Sequence, residues 1–504
     1  MTEPIMHALS LRGSSGTGVT TAVILELSWA VWSALGSALA LGAALWASGH
    51  AVIYKRDSRS AALWVIVIWL MPAVGPILYL VLGINRVRRR AAALRVDRLG
   101  ETADPPAPND PCVSARSFPL PESLEGLANL VGEVTRLPLL ACNRVVPLVN
   151  GEDAFPAMLE AIRNARASVA MASYIFDGHG IGEEFVETLT KVMHRGVTVR
   201  VLIDDVYVRF SRGSAYGPLR RAGVPVAAFN PPLLPARLQA AHLRNHRKLL
   251  IVDGRVAFTG GMNVHAPYWR PDCPAQAQRD LHFRLEGPVV RQLTEVFVQD
   301  WRFTTGEVLE GELWMPKLEP AGATPARTIE AGPDENLDRL RWVFLGALNA
   351  ARSSIRVWTP YFLPEPSLIA GLNAAALRGV QVDILLPAQL DHPTVQWACM
   401  AQIWQVLEHG CRVWLRPSPF DHSKLLLVDD QWALFGSANW DARSLRLNFE
   451  LNVECYDGTL GEQLGRLFES ARKTARPLSK AEVDSRPLPV QLRDGVARLF
   501  APYL

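Results

Sequence analysis

"HSKLLLVDD" (residues 422–430) and "HRKLLIVDG" (246–254) are almost the same nine residues written twice, starting 176 positions apart. Each sets a histidine and a lysine two positions apart, immediately ahead of an apolar run. In an extended strand residues i and i+2 share a face, so His246 and Lys248 are expected to project together, as are His422 and Lys424. The runs "LLIV" and "LLLV" belong in a core, which would hold both side chains rigid. "DG" after the first run is a hairpin signal leading into a return strand, "RVAFTGG"; the second copy has "DD" and "WALFGS". The returns end in "GGMN" (260–263) and "GSAN" (436–439), bringing Asn263 back toward the first pair and Asn439 toward the second. Glycines there let backbone come close to a ligand. A single HxK is a weak signal. The pattern HxKxxxxDxxxxxxG[GS]xN, repeated with identical spacing, is a strong one.

Two histidines, two lysines and two amides facing one point suit a phosphoryl centre. Lysine and amide groups match the non-bridging oxygens of a phosphate, whose charge grows in a displacement. One neutral imidazole can attack phosphorus while the other, protonated, supplies a proton to the leaving oxygen. Imidazole serves both roles near neutral pH. A carboxylate behind each ring would hold its tautomer; Asp280 in "QRDLHFRLEG" and Glu450 in "LNFELNVE" stand at comparable places after the two asparagines. Asp253 and Asp429 complete the motifs and are candidate catalytic residues, although their position is equally that of turn residues. His242 and His282 read as packing or supporting groups, and His265 has no informative context. With no cluster of carboxylates or cysteines, neither a metal nor another cofactor is expected.

The repeat extends beyond the motif. "LEAIRNARASVAMASYIF" (159–176) resembles "LGALNAARSSIRVWTPYF" (345–362), and "HRGVTVRVLIDD" (194–205) resembles "LRGVQVDILLPA" (377–388). Helices alternating with apolar strands imply an α/β fold of two lobes, each a mixed sheet flanked by helices. A repeat of only two long units predicts a pseudo-two-fold dimer within one chain, with function at the seam. The expected lobes are 138–317 and 337–504, the latter ending in a helix, joined by a linker at 318–336 ("LEPAGATPARTIEAGPDEN"). The Pro-rich "ETADPPAPNDP" marks a further linker over 91–137.

Residues 1–90 read as a membrane module. "LSWAVWSALGSALALGAALWASGHAVIY" (27–54) carries no Asp, Glu, Lys or Arg, and "AALWVIVIWLMPAVGPILYLVLG" (61–83) carries none either. About 20 apolar residues cross a bilayer as a helix, so transmembrane helices are expected over about 27–50 and 61–83. The first run is too long for a secretory signal and a second follows it. Pro72, Gly75 and Pro76 predict a kink, or a shallow hairpin, in the second. Arg12, Arg86, Arg88, Arg89, Arg90, Arg95 and Arg98 lie on the side shared by the N-terminus and the lobes, against Lys55, Arg56 and Arg59 in the connecting loop. That excess puts the lobes on the cytoplasmic side of the membrane and suits anionic headgroups.

Composition sets bounds. The chain has 504 residues, 49% hydrophobic and 20% charged, with net charge +3, which is globular and gives no reason to expect nucleic acid as a partner. The six cysteines are far apart, without metal-like spacing; they read as buried small hydrophobes in a reducing compartment.

Taken together, these residues resemble the phospholipase D superfamily and its twice-written HKD motif. The likeness is closer to bacterial cardiolipin synthases with two N-terminal spans, and covers nearly the whole chain. It is carried by "YKRDSRSAALWVIVIWLMPAVGPILYLVLGINR", "LRNHRKLLIVDGRVAFTGGMN", "RDLHFRLEGPVV", "TPYFLPEPSLIAGLNAAALRGV" and "GSANWDARSLRLNFELNVE". The resemblance implies phosphatidyl transfer between two phosphatidylglycerols through a phosphohistidine, releasing glycerol, with His246 as nucleophile and His422 as acid and then base. The pseudo-symmetry leaves that assignment reversible. Where the first motif has Gly-Gly the second has Gly-Ser, so only Ser437 can offer a hydroxyl to the phosphate. Hydrolytic phospholipase D and phosphatidylserine synthase would use the same site. A membrane-tethered nuclease would need aromatic residues interleaved with a basic groove, and a non-enzymatic scaffold would not need both complete motifs. The C-terminal "PVQLRDGVARLFAPYL" has apolar residues at helical spacing with Arg493 and Arg498, fit to lie on a bilayer or to dock on the second lobe.

Overall fold

The computed structural model describes residues 16–55, 58–83, 112, 120–229, 244–333 and 336–501. The basic residues Arg12, Arg56, Arg86, Arg88, Arg89, Arg90, Arg95 and Arg98, the stretch 101–111 and His242 lie outside them. The chain divides into two compact units, Met1–Arg86 and Val87–Leu504.

In the first unit a helix, α1 (Gly16–Tyr54), contains one apolar segment, Val31–Tyr54, long enough to cross a membrane. Its Leu39, Leu45, Val52 and Ile53 are exposed, as side chains meant for lipid would be. The second apolar run does not form one continuous helix. It breaks into α2 (Ser58–Leu70) and a short turn of helix, Gly75–Leu78, that passes into a single π-turn, Tyr79–Gly83. Pro72 explains the break, and Gly75 permits the return: a Cβ there would lie 2.6 Å from the Ile68 Cα. Ala44, Ala47 and Ala51 of α1 pack on Ile68 and Tyr79, and His50 Nδ1 hydrogen-bonds the Tyr79 hydroxyl at 2.8 Å.

In the second unit each lobe contributes half of one continuous mixed sheet. The first lobe supplies β1 (Leu140–Val149), β2 (Ser168–Ser173), β3 (Thr198–Asp204), β4 (Val226–Phe229), β5 (Leu249–Val252), β6 (Val256–Gly260) and β7 (Leu281–Glu286). The second supplies β8 (Thr324–Ala331), β9 (Ser354–Trp358), β10 (Gln381–Pro387), β11 (Arg412–Arg416), β12 (Leu425–Val428), β13 (Trp432–Gly436), β14 (Asn448–Tyr456) and β15 (Arg476–Leu478). The order is β15-β11-β10-β9-β12-β13-β14-β8-β1-β7-β6-β5-β2-β3-β4. Reading outward from the β8–β1 pair, the two halves run alike, an antiparallel strand, a hairpin, then three parallel strands, and the second half adds β15 antiparallel to β11. Parallel strands need helical crossovers, which is why β2–β3 and β9–β10 carry the repeated helix-to-strand sequences. Separate apolar clusters fill each lobe. A third, containing the stacked rings of Phe283 and Phe435 at 3.6 Å, joins them.

Three expectations need correction. The stretch 91–137 is not all linker, because α3 (Glu122–Thr135) inserts Leu124, Leu127 and Val131 into the second lobe's core beside Val343, Phe344 and Ala347. Those three leucine and valine positions already follow a helical spacing. The stretch 318–336 is likewise not a free linker: it contains β8, a central strand, whose Arg327 bonds Glu454 at 2.6 Å in the buried interior. Finally, the cysteines are not all thiols. Cys112 and Cys142 form a disulfide, whereas Cys399, Cys411 and Cys455 are buried and free.

Candidate active site

The strands β5 and β12 are fully buried, and they begin at Leu249 and Leu425 rather than at the histidines. The HxK tripeptides therefore lie just ahead of the ladder, not within it. There Lys248 Nζ donates to the His246 carbonyl at 2.7 Å and Lys424 Nζ to the His422 carbonyl. All four side chains are buried or nearly so. The two pairs share one centre, since Lys248 and Lys424 each act electrostatically on both His246 and His422.

The orienting carboxylates cross between lobes. His246 Nδ1 meets Glu450 Oε2 at 3.0 Å, and His422 Nδ1 meets Asp280 Oδ2 at 2.9 Å. Each Nδ1–H is thereby committed to a carboxylate, leaving Nε2 for chemistry. Neither lobe holds a complete half-site.

Burial dominates the electrostatics. It lowers His246 to about 4, with Glu450 opposing the fall and Lys248 adding to it. His422 is pushed well below its ordinary value by burial and by the two lysines. Lys248 comes down to about 7 and Lys424 to about 8, again chiefly by burial. The carboxylates part company. Burial drives Asp280 well above the ordinary carboxylate range, with Lys424 only partly offsetting it. Glu450 is equally buried, yet His246, Lys248 and the Ser437 hydroxyl outweigh the burial and hold it below that range.

A family described as "Cardiolipin synthase, PLD-like domain" matches residues 158–301 and 344–472, which span both motifs. The chain belongs to the PLD-like cardiolipin synthase family. A phospholipase D-nuclease N-terminal family matches residues 42–83, over α1 and α2. The major cardiolipin synthase of Bacillus subtilis is 30% identical over 465 residues, covering 90% of this chain and 96% of that protein. A cardiolipin synthase of Staphylococcus aureus is 29% identical over 89% of this chain and 92% of its own length. Among solved structures, phosphatidylserine synthase of Haemophilus influenzae superposes with a TM-score of 0.60 at 16% identity, over 76% of this chain and all of that one. That likeness is one of fold.

Within the family site both asparagines are buried: Asn263 Oδ1 accepts from Ile175 N at 3.1 Å, and Asn439 N and Nδ2 donate to the Ser444 hydroxyl at 3.2 and 3.4 Å. Ser437 has another task than the one expected. Its hydroxyl donates to Glu450 and accepts from Leu451 N at 2.9 Å, so it steadies the carboxylate rather than facing a phosphate. Asp253 and Asp429 are not in the site. The buried strand separates them from the lysines by roughly 15 Å at about 3.3 Å per residue, and at φ 53° each closes a turn. Asp253 accepts from the backbone N–H groups of Arg166, Ala167 and Ser168, and Asp429 from those of Arg352, Ser353 and Ser354. They lash the hairpins to β2 and β9.

His282 is buried with an unpartnered Nδ1 and is lowered to about 3, a packed neutral ring. His265 Nδ1 meets the buried Asp177 at 2.8 Å. Residues not singled out from sequence are the aromatic walls. Tyr174 packs on His246 at 5.2 Å between centroids, and Tyr268 and Tyr361 pack on His422 at 6.2 Å. The repeated "SYIF" and "PYF" held that signal for Tyr174 and Tyr361.

Proposed function

We propose that the chain makes cardiolipin by moving a phosphatidyl group from one phosphatidylglycerol to another. The reading is carried by the crossed His–carboxylate pairs sharing one buried lysine centre, in a chain that matches cardiolipin synthases almost end to end. His246 Nε2 attacks the donor's phosphorus, and the bond to glycerol's oxygen breaks as that oxygen takes a proton from His422. The phosphohistidine ring is cationic, with phosphorus on one nitrogen and a proton on the other. It needs an anion behind it, and Glu450 is the carboxylate held ionised. Next, the hydroxyl of a second phosphatidylglycerol gives its proton to His422 as its oxygen attacks phosphorus, releasing His246 and cardiolipin. The lysines and asparagines hold the phosphoryl oxygens through both steps. An anionic phosphodiester between the rings raises both imidazoles, so substrate binding itself loads the acid.

The test is to incubate the purified full chain with phosphatidylglycerol. Cardiolipin and glycerol in equal amounts are expected. Phosphatidic acid as the sole lipid product would make it a hydrolase, and product formed only with serine and a CDP-activated lipid would make it a phosphatidylserine synthase.

The arginine excess supports an anchor that passes the membrane twice, with the lobes on the cytoplasmic side. The disulfide pulls the other way, because such bonds persist on oxidising faces. Alkylation in intact cells decides: free thiols at 112 and 142 place the lobes inside, a bonded pair places them outside.

A further inference from the structure

The last helix, α4 (Leu488–Leu499), is docked with the wrong face inward for a soluble domain. Its inward positions are Val490, Asp494, Ala497 and Ala501, of which only Asp494 is fully buried. Asp494 is held there by the guanidinium groups of Arg486 and Arg493. The larger apolar residues point out: Leu488, Leu492, Val496, Leu499 and Phe500 are between 55% and 74% exposed. Steps of four, four, three and one gather them into one stripe opposite the docked face. Arg498 falls on one flank, exposed, where a long basic side chain reaches from an apolar surface to phosphate.

The docked side of α4 connects it to the active site. Arg486 bonds the Met400 carbonyl at 2.9 Å while Arg493 covers the Trp397 ring at 4.5 Å, so α4 runs back along the helix Pro393–Gln402 toward its start. Just before that start stands Asp391, which accepts from the Tyr361 hydroxyl at 2.6 Å. Tyr361 is the ring against His422. The apolar stripe and the catalytic centre are thus joined through one helix and one aromatic wall.

We propose that the outward face of α4 lies in the headgroup–acyl boundary of the membrane and so holds the Tyr361 side of the catalytic centre toward the lipid surface. The occupant is an anionic phospholipid bilayer: apolar stripe toward acyl chains, Arg498 toward phosphates. This deepens the lipid-substrate reading and rests on it for its effect on turnover, though not for contact itself. The full chain is reconstituted in vesicles of phosphatidylglycerol and phosphatidylcholine, with the photoreactive p-benzoylphenylalanine at Leu492 or, as an exposed control, at Arg466. Adducts to phospholipid at least tenfold more abundant at 492 are expected. Adducts to a second copy or to the N-terminal helices, or no lipid excess, would overturn the proposal. The second arm changes Leu488, Leu492 and Val496 together to Ser. Turnover in vesicles should fall about tenfold with turnover in detergent micelles unchanged, whereas an equal fall in both would also overturn it. If the unaltered chain forms no cardiolipin, the functional reading fails while the crosslinking arm still decides contact.

Discussion

The two catalytic halves differ in what lies behind their histidines: Glu450 with Ser437 on one side, Asp280 with Gly261 on the other. In the second half, Ser437 hydrogen-bonds Glu450, and Asn448 Nδ2 adds a bond at 3.0 Å, so an ionised carboxylate is sustained in a dry interior. In the first half Gly261 has no side chain, and a Cβ there would lie 2.3 Å from Asp280 Oδ1. Asp280 fills that space and keeps only the Leu281 N–H at 2.8 Å from nearby backbone. His246, Lys248 and the Ser437 hydroxyl together keep Glu450 an anion, whereas burial, with Asp421 adding to it, pushes Asp280 toward neutrality. Because the carboxylates cross, the anion stands behind His246 and the more nearly neutral group behind His422. Near-identical motifs acquire unequal roles from what lies behind them.

The largest effects should come from the rings. His246→Ala and His422→Ala are each expected to lower cardiolipin synthesis by about a thousandfold or more, the scale for losing a nucleophile or its acid–base partner. A donor with a nitrophenolate leaving group, which departs without a proton, separates them. His422→Ala should release nitrophenol and accumulate a phosphatidyl adduct, mapped by mass spectrometry to His246. His246→Ala should do neither. An adduct on His422 would reverse the assignment and the comparison with it.

One step back, Glu450→Gln is expected to cost about a hundredfold and Asp280→Asn about tenfold, spanning the usual range for groups that orient a reacting imidazole. Equal losses would erase the distinction between the halves. Ser437→Ala leaves Glu450 short of one donor, and a fall of several-fold should bring its half closer to the other. In pH, kcat/KM should decline on the alkaline side. Lys248 and Lys424, at about 7 and 8, are charged below those values and lose their charge above them. A profile flat to about pH 9 would mean the lysines stay charged in the free enzyme.

Much of this was legible because the chain states it twice. The pairing of β5 with β6 and of β12 with β13, the convergence of the HxK pairs, and the candidacy of Asp280 and Glu450 all follow from the repeated motif and its continuous apolar runs. What the residues could not express is the crossing, since a carboxylate placed after one asparagine may serve either ring until the lobes are docked. The place of Ser437 is hidden for the same reason: from spacing, a hydroxyl near the phosphate and one near Glu450 look alike. The strand β8 was hidden by Pro320, Gly322 and Pro325, turn-forming residues that outvoted a short run whose pairing is wholly non-local.

The smallest effect on chemistry is expected from the aspartates that end the motifs. Asp429 accepts from three backbone N–H groups and the Ser353 hydroxyl, and those donors lose a partner when it is removed. Asp429→Ala should lower stability by ~2 kcal/mol, with Asp253→Ala comparable, and kcat per folded molecule should stay within about twofold. Asp429→Asn keeps an acceptor and a side chain tolerant of positive φ, so it should recover part of the lost Tm. A collapse of kcat with Tm unchanged would instead draw the aspartate into the chemistry, across a buried strand that offers it no path to the phosphate.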